Sequence, residues 1–299
     1  MEVLELKVRA RCGYCILHRG YKMILRATDN KKKQIKAMKL LLEFLGEEYS
    51  EEAVPAFLGT ERDRIIKKAT GCPDPYRDLK RMANREALKI LPKMERLIEK
   101  EVNDERLRVA FKIACLGNVI EYDVPDHDSD VGKAFEYLEE DFYIDDLEKL
   151  LKRARGGLKV LYLTDNAGEI AFDRLPVREL KSLGCEVTVA VKGGPSLNDA
   201  LMEDAKAVNM TEEADLVITT GTDAIGTKLD ESSPTFTSHF YNSDLILAKG
   251  MANWETLTET PAPCPIMYLF RTKCEPVAEA VEAPLHRCIA KLVQKGWKL

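Results

Sequence analysis

Two different hydrophobic patterns divide the chain near residue 150. In the first half, apolar residues recur every three or four positions, as in "NKKKQIKAMKLLLEFLGEEY" (30–49) and "YRDLKRMANREALKILPKMERLIEKEV" (76–102). This spacing predicts amphipathic helices, with a break or kink at Pro92 in the second stretch. A further helix is predicted to end near Gly117. We therefore expect a helical N-terminal region over residues 1–150.

The second half carries five short apolar runs, and helical stretches separate most of them. The runs lie at 159–164, 186–192, 216–221, 245–250 and 264–270. Near-continuous Val, Ile and Leu runs that alternate with helices are typical of parallel strands covered on both faces. The pattern predicts an α/β domain at 151–299 with a mainly parallel sheet.

The first predicted strand ends in two polar side chains, Asp165 and Asn166, and a helix is predicted directly after them. Open parallel sheets bind ligands at the carboxyl ends of their strands. Carboxylate and amide oxygens suit a divalent cation, a helix N-terminus suits a phosphate, and Gly168 would let a ligand approach the backbone. The same two residues could equally serve only to cap the helix.

The ends of the other predicted strands supply more polar groups. Lys192 and Asp199 follow the second strand, Thr220 ends the third, and Lys249 and Asn253 follow the fourth. Each could belong to an ordinary turn, but the carboxyl ends of parallel strands share one sheet edge. We therefore predict a pocket for a cation and an anion at this edge, with Lys249 and backbone N–H groups facing the anion. The predicted cation ligands are Asp165, Asn166 and Asp199.

Composition narrows the class of protein. The chain of 299 residues has a formal net charge of −5 and a pI of about 5.6, which argues against a dedicated nucleic-acid binder. It contains no apolar run of membrane-spanning length and begins without the apolar core of a signal peptide, so we expect a cytoplasmic protein without a membrane partner. Abundant Lys and Glu with only two glutamines are typical of hyperthermophiles.

The chain has eight cysteines, two of which form a CxxC motif at Cys12 and Cys15. An ordinary cytosol keeps such thiols reduced, whereas disulfides persist in hyperthermophile cytosols. A zinc site would need two further ligands, and a redox motif would need a thioredoxin-like setting. A structural role, a disulfide or metal staple and a redox role therefore stay open.

At this point five segments together resemble the DUF89 family, also described as the damage-control phosphatase or ARMT1-like family. They are "LGNVIEYDV" (116–124), "DNAGE" (165–169), "KGGPSLNDA" (192–200), "DLVITTG" (215–221) and "DLILAKGMANWETL" (244–257). "CGYC" (12–15) and "DPYRDLK" (74–80) resemble its archaeal and bacterial branch. The resemblance runs through nearly the whole chain, in order.

The resemblance implies a Rossmann-like three-layer α/β/α core after a helical N-terminal region, and a metal-dependent phosphatase of small phosphometabolites. Sugar phosphates are the substrate class that we favour. It also implies a divalent ion (Mg, Mn, Co or Ni) on the two carboxylates and the amide named above, with Lys249 on the phosphate and Asn253 beside it. Asn118 would line the substrate pocket. Where the family usually has Asp three residues after this asparagine, the chain has Glu121, with Asp123 two residues on.

The mechanism expected for such a site is attack by a metal-activated water. Lys249 and the N–H groups at 167–169 would hold phosphoryl oxygens, with Gly168 and Thr220 among the phosphate-binding residues, and Glu169 would orient water or substrate. Two alternatives stay open: an S-adenosylmethionine-dependent carboxyl methyltransferase and a non-catalytic metal-binding protein. A dehydrogenase is disfavoured, because no GxGxxG follows the first strand.

Overall fold

The computed structural model describes residues 6–117, 138 and 140–299. The first of these ranges is helical, as the sequence predicts. Asn30 begins the second helix by accepting hydrogen bonds from the backbone N–H groups of Lys32 and Lys33 at 3.0 and 3.2 Å, a typical N-cap. The helices are α1 (Ala10–Ala27), α2 (Lys31–Glu48), α3 (Pro55–Thr70), α4 (Arg77–Glu99) and α5 (Asp104–Gly117).

Helix α4 continues through Pro92 and ends only at Glu99. Of the break or kink predicted at this position, the break is therefore wrong. Leu91 and Met94, on either side of the proline, are buried in the core. Burial of these side chains offsets the backbone hydrogen bond that proline removes.

The remaining range folds into a seven-stranded sheet with the order β1-β7-β6-β5-β2-β3-β4. All five predicted strands are present, and the parallel pairing predicted for them is confirmed. Two strands were not predicted: β1 pairs parallel with β7, and β7 runs antiparallel to β6. The strands are β1 (Ile144–Asp145), β2 (Lys159–Leu163), β3 (Glu186–Val191), β4 (Leu216–Thr219), β5 (Leu245–Lys249), β6 (Ile266–Arg271) and β7 (Cys288–Val293).

Helices on both sides of the sheet complete a three-layer α/β/α core. In β2, Val160 and Tyr162 share a hydrophobic cluster with α4 and α5, whereas Leu161 and Leu163 face the opposite cluster. This alternation is the period of two that a strand buried on both faces requires. The helices of this range are α6 (Leu147–Ala154), α7 (Glu169–Ser182), α8 (Met202–Ala207), α9 (Met210–Glu213), α10 (Pro234–Asn242), α11 (Gly250–Leu257) and α12 (Glu275–Val281).

The chain reverses its direction of travel across the sheet at β2. From β2 it proceeds to β3 and β4 on one side, and it then returns to β5 on the other side of β2. The carboxyl ends of β2 and β5 therefore border a topological switch point, where open α/β sheets bind their ligands.

Helices α1 to α3 form a third hydrophobic cluster, which includes Leu197 from the loop after β3 and Ile225 from the loop after β4. Both loops leave the carboxyl ends of their strands, so the three-helix unit covers the edge of the sheet that carries the switch point. Within the described residues, no helix is long and apolar enough to cross a membrane.

Candidate metal and phosphate site

Backbone pairing brings the predicted cation ligands together. The segment 165–167, which follows β2, pairs antiparallel with the segment 198–200, which follows β3, through backbone hydrogen bonds of 2.8 and 2.9 Å. Asn166 and Asp199 lie directly opposite each other in this bridge. Two loops that are more than thirty residues apart in sequence thus lie side by side, and Asp165 and Asp199 line the same cavity.

The three predicted cation ligands line one cavity between α1, α3 and the carboxyl edge of the sheet. The rest of the lining contains apolar side chains such as Ile16 and Val277, cysteines and basic residues. The cavity therefore has carboxylates and amides at the strand tips, and its other walls combine apolar side chains with basic groups. This division suits a ligand with a charged group and a larger organic part. The lining at the polar end is Asp165, Asn166, Asn198 and Asp199.

The side-chain amide of Asn166 is oriented by its neighbours. Its nitrogen donates to Asp165 Oδ2 at 3.0 Å and to Glu169 Oε2 at 3.1 Å. Because the nitrogen is used in this way, the amide oxygen is the atom that Asn166 can offer to a cation. Asn166 lines the same cavity as Asp165 and Asp199.

Lys192, directly after β3, supports Asp199. Its Nζ donates to the carbonyl oxygens of Ala224, at 2.9 Å, and Gly226, and lies 3.5 Å from Asp199 Oδ2. The carbonyl bonds hold the ammonium group in place, so it partly balances the charge of Asp199. Lys192 is thus a positioning residue.

Gly250 explains how closely β5 approaches the site. A Cβ atom built at this residue would lie 2.1 Å from Asp165 Oδ2, and the residue has a φ of +79°. A left-handed backbone of this kind favours glycine. The Asp165 carboxylate therefore packs directly on the peptide backbone where β5 ends and α11 begins.

Lys249 lies behind the cavity wall in a fully buried charged network. Its Nζ donates to Glu169 Oε1 at 2.6 Å, to Asp173 Oδ1 at 2.7 Å and to the carbonyl of Ala114 at 3.0 Å. An ammonium group has three donors, and all three are engaged. Burial alone would lower the pKa of Lys249, but the negative charges of Asp173 and Glu169 outweigh burial and raise it.

Asp173 is a member of this network that the sequence analysis missed. It is completely buried, and the hydroxyl of Tyr162 donates to its Oδ1 at 2.7 Å. Burial raises the pKa of Asp173 to about 6, although Lys249 acts to lower it. The signal was present in the sequence: Asp173 lies four residues after Glu169, on the same face of α7, within a stretch that is otherwise largely apolar.

Three residues predicted to contact phosphate have polar groups already bonded within the protein. The N–H of Gly168 donates to Asn84 Oδ1 at 2.7 Å, and Thr220 Oγ1 accepts from the N–H of Gly193 at 3.2 Å. The amide of Asn253 accepts from Thr227 Oγ1 at 2.9 Å. Direct contact of these residues with a phosphate stays a prediction. It requires the phosphate to replace the present hydrogen-bond partners.

The predicted N–H cradle at 167–169 is also largely used by the protein itself. The N–H of Ala167 donates to the carbonyl of Asn198 at 2.8 Å, and that of Gly168 is bonded to Asn84. Gly168 is needed for a packing reason as well, while its expected role in letting a ligand approach the backbone stays a prediction. Its φ is +79°, and a Cβ atom there would lie 2.9 Å from Cβ of Ala83 in α4. The glycine therefore permits α4 to approach this turn.

Asn198 is a second residue that the sequence analysis left out of the site. It is almost completely buried and lines the cavity. Within the described part of the chain its Nδ2 has no hydrogen-bond partner, and an unsatisfied buried donor is costly unless a ligand or water meets it. Asn198 therefore presents a donor to a ligand beside Asp199. Asn118, Glu121 and Asp123 lie outside the described residues.

The donor set fits a hard or borderline divalent cation. Two carboxylates and one amide oxygen offer oxygen ligands only, as Mg²⁺ and Mn²⁺ prefer, and they leave room in the coordination sphere for water and substrate. No cluster of three or more His, Cys, Asp or Glu side chains suited to a metal occurs in the ranges 6–117 and 140–299. The candidate set differs from such clusters because an amide supplies its third ligand.

The chain resembles archaeal proteins along nearly its whole length. It is 39% identical over 282 residues to a protein of Methanocaldococcus jannaschii, and the alignment covers 93% of this chain and 92% of that protein. It is 33% identical over 293 residues to a protein of Archaeoglobus fulgidus that is named damage-control phosphatase, covering 97% and 100% of the two chains. These archaeal relatives agree with the composition, whose abundant Lys and Glu and few glutamines are typical of hyperthermophiles.

A solved structure and a family model agree with these relatives. The crystal structure of a DUF89 family protein from Pyrococcus horikoshii superposes with a TM-score of 0.85 at 31% identity, covering 97% of this chain and 99% of that one. The α/β fold with a helical N-terminal region is thereby confirmed. The family model described as the damage-control phosphatase ARMT1-like domain matches residues 8–289. The chain therefore belongs to the DUF89, or damage-control phosphatase ARMT1-like, family.

Proposed function

We propose that the protein is a metal-dependent phosphatase that hydrolyses small phosphometabolites, with sugar phosphates as the favoured class. The observation that carries this proposal is that Asp165, Asn166 and Asp199 line one cavity at the switch point of the sheet, with Asn166 and Asp199 opposite each other in a β-bridge. The name of the Archaeoglobus fulgidus relative, damage-control phosphatase, supports this class of reaction.

Asp165, Asn166 and Asp199 would hold the divalent ion, with Mg, Mn, Co and Ni as candidates. Two adjacent carboxylates repel each other, and a cation between them removes that repulsion. A bound divalent ion would neutralise charge on the phosphoryl group and lower the pKa of water. Asp165 accepts a hydrogen bond from Asn166, so we assign it to ligand binding and not to nucleophilic attack.

The other residues of the site act on geometry and on the substrate. Asn198 offers an amide donor to a phosphoryl or hydroxyl oxygen in the cavity. Glu169 fixes the amide of Asn166, and Lys249 fixes Glu169. Lys249 is thus proposed as a positioning residue in the described arrangement, and it would contact phosphate only by exchanging one of its three bonds.

The first test is phosphate release from an aryl phosphate and from a panel of sugar phosphates, with EDTA and with each of the four metals. We expect metal-dependent release that EDTA abolishes. Asp199→Asn should lower the rate of release by at least about a hundredfold, because the cation would lose a negatively charged ligand. Asp230→Asn is the matched control, because Asp230 is a mostly exposed carboxylate whose partner is Lys228.

The outcomes separate the candidate functions. If folded wild-type protein releases phosphate and Asp199→Asn releases it at the same rate, the assigned metal site would be contradicted. No release with any metal would contradict the phosphatase, and stabilisation by S-adenosylmethionine in a thermal-shift assay would then favour the methyltransferase alternative. Stabilisation by metal without turnover would favour a non-catalytic metal-binding protein.

A further inference from the structure

A group of thiols lines the same cavity as the predicted cation ligands. Cys12 and Cys15 lie in the first two turns of α1, and Cys274 lies directly before α12. All three line the same cavity as Asp165, and all eight cysteines of the chain are free thiols in this structure. The proposed phosphatase chemistry uses none of them.

These thiols are close enough to influence one another. Burial, together with the charges of Glu255, Cys15 and Cys12, raises the pKa of Cys274 to about 12. Burial likewise raises the pKa of Cys12, with Glu255 and Cys15 adding to the effect. A thiol of raised pKa is a slow leaving group in thiol–disulfide exchange, so a disulfide that contains Cys12 is released slowly at that sulfur.

Cys12 and Cys15 satisfy the distance requirement of a disulfide. Residues three apart in an α-helix have Cα atoms about 5 Å apart, from the rise and radius of the helix, and disulfides span Cα distances of roughly 4.4–6.8 Å. Cys12 is buried and Cys15 is half-buried. Cys15 is therefore the thiol that a reagent in the cavity reaches first, and Cys12 lies one turn away to complete the bond.

We propose that Cys12 and Cys15 form a reversible dithiol–disulfide couple in the cavity wall, oxidised by low-molecular-weight disulfides. The Cys15 thiolate attacks the small disulfide, forms a mixed disulfide and releases one small thiol. The Cys12 thiolate then attacks the Cys15 sulfur and releases the second small thiol. The protein loses two protons and two electrons, and the small disulfide is reduced to two thiols.

Oxidation would change the backbone hydrogen bonding at the start of α1, which lines the cavity. The sulfur of Cys12 accepts the backbone N–H of Arg9 at 3.4 Å in the first turn of α1, and a bond to Cys15 would draw it away from that position. Arg11, which directly precedes Cys12, also lines the cavity. The consequence for turnover rests on the proposed phosphatase: oxidation should change KM for the phosphorylated substrate more than kcat.

The test exposes the folded protein to oxidised and reduced glutathione at graded ratios and counts free thiols by alkylation and intact mass. We expect two free thiols to disappear together and peptide mapping to show a disulfide between Cys12 and Cys15. Dithiothreitol should restore the two thiols. Cys12→Ala should stop at the glutathione adduct on Cys15, and Cys15→Ala should form no disulfide at this site. Cys72→Ala, which removes a half-buried thiol outside the cavity lining, should behave as wild type.

A mapped disulfide that joins other cysteines, or no thiol loss in native buffer, would overturn the proposal. The thiol count needs no enzymatic activity, so its result stands even if the chain releases no phosphate. In the kinetic arm, the oxidised wild type should show a several-fold higher KM, and the ratio of oxidised to reduced KM should return to one in Cys15→Ala. An unchanged KM in fully oxidised wild type would overturn the link to the cavity.

Discussion

At the scale of single residues, the charge balance behind the site rests on Lys249. We predict that Lys249→Met destabilises the protein by about 3–5 kcal/mol, because Glu169 and Asp173 would remain buried without a counter-charge. Urea unfolding measures the change. The matched control is Lys89→Met, whose ammonium forms an exposed pair with Glu86 and should cost less than about 1 kcal/mol. A loss at Lys249 no larger than the control's would contradict the network described here.

A second residue-scale prediction concerns Gly250, whose hydrogen faces Asp165. Gly250→Ala would add a Cβ atom 2.1 Å from the carboxylate, so we expect metal-dependent phosphate release to fall by at least about tenfold through displacement of a ligand. Gly184→Ala controls for backbone strain, because Gly184 also has a positive φ, +87°, but no atom within 4 Å of the new Cβ. Equal losses in the two variants would show that strain alone is responsible.

The residue scale also shows where sequence reasoning reached its limit. The juxtaposition of Asp165 and Asp199 could be predicted, because it follows from two strand ends at one sheet edge. The orientation of Lys249 could not, because it depends on an acceptor four residues beyond Glu169 and on a carbonyl of α5. A strand-end lysine can turn toward the ligand or behind the wall, and only the three-dimensional placement of acceptors decides between them.

At the scale of elements, an ion cluster joins α3 to the segment after β4. Arg64 binds Asp223 at 2.6 Å and also pairs with Glu231. The hydrogen bond from Arg64 lowers the pKa of Glu231 to about 2, below the usual value of about 4.3 in an unfolded chain. The cluster therefore ties the three-helix unit to the edge of the sheet through charge.

This shift predicts a pH dependence of stability. A carboxyl group with a lowered folded pKa stabilises the protein above its unfolded pKa, and that contribution disappears as pH falls from about 4.3 toward 2. After allowance for solvent screening of this partly exposed pair, we expect a contribution of about 1–2 kcal/mol. Thermal unfolding of Glu231→Gln and wild type should differ most at pH 6, and the gap should narrow steadily as pH falls from about 4.3 to about 2. A constant gap between the two would contradict the assignment.

The elements that the sequence did not reveal lack a clear hydrophobic pattern, and the physical cause differs from one element to the next. β1 has two residues, too few for any periodicity to show, and β7 includes a half-buried lysine, Lys291, within its apolar run. Helix α3 buries polar side chains, Arg62 and Asp63 among them, which form their own ion pair. Where polar partners satisfy each other inside the protein, the hydrophobic pattern no longer shows which face is buried.

At the scale of the whole molecule, packing does not follow the change of pattern near residue 150. The proposed division into a helical region, 1–150, and an α/β domain, 151–299, describes secondary structure. Buried residues of α4 and α5, such as Leu91 and Phe111, belong to the same hydrophobic cluster as Val160 and Leu247 of the sheet. Helices α1 to α3 form a cluster of their own with two loop residues. Energetically, α4 and α5 are one layer of the α/β core.

This arrangement predicts how fragments behave. A chain of residues 151–299 would expose the apolar surface of α7 and the sheet that α4 and α5 cover, a loss of burial that exceeds the net stability of a typical domain. We expect it to bind a hydrophobic dye and to unfold without a cooperative transition in urea. A chain of residues 75–299 keeps α4 and α5 and should unfold cooperatively, although it lacks one wall of the cavity. Cooperative unfolding of 151–299 with native-like near-ultraviolet circular dichroism would show instead that the strands and their own helices suffice, and the division near residue 150 would then be a true domain boundary.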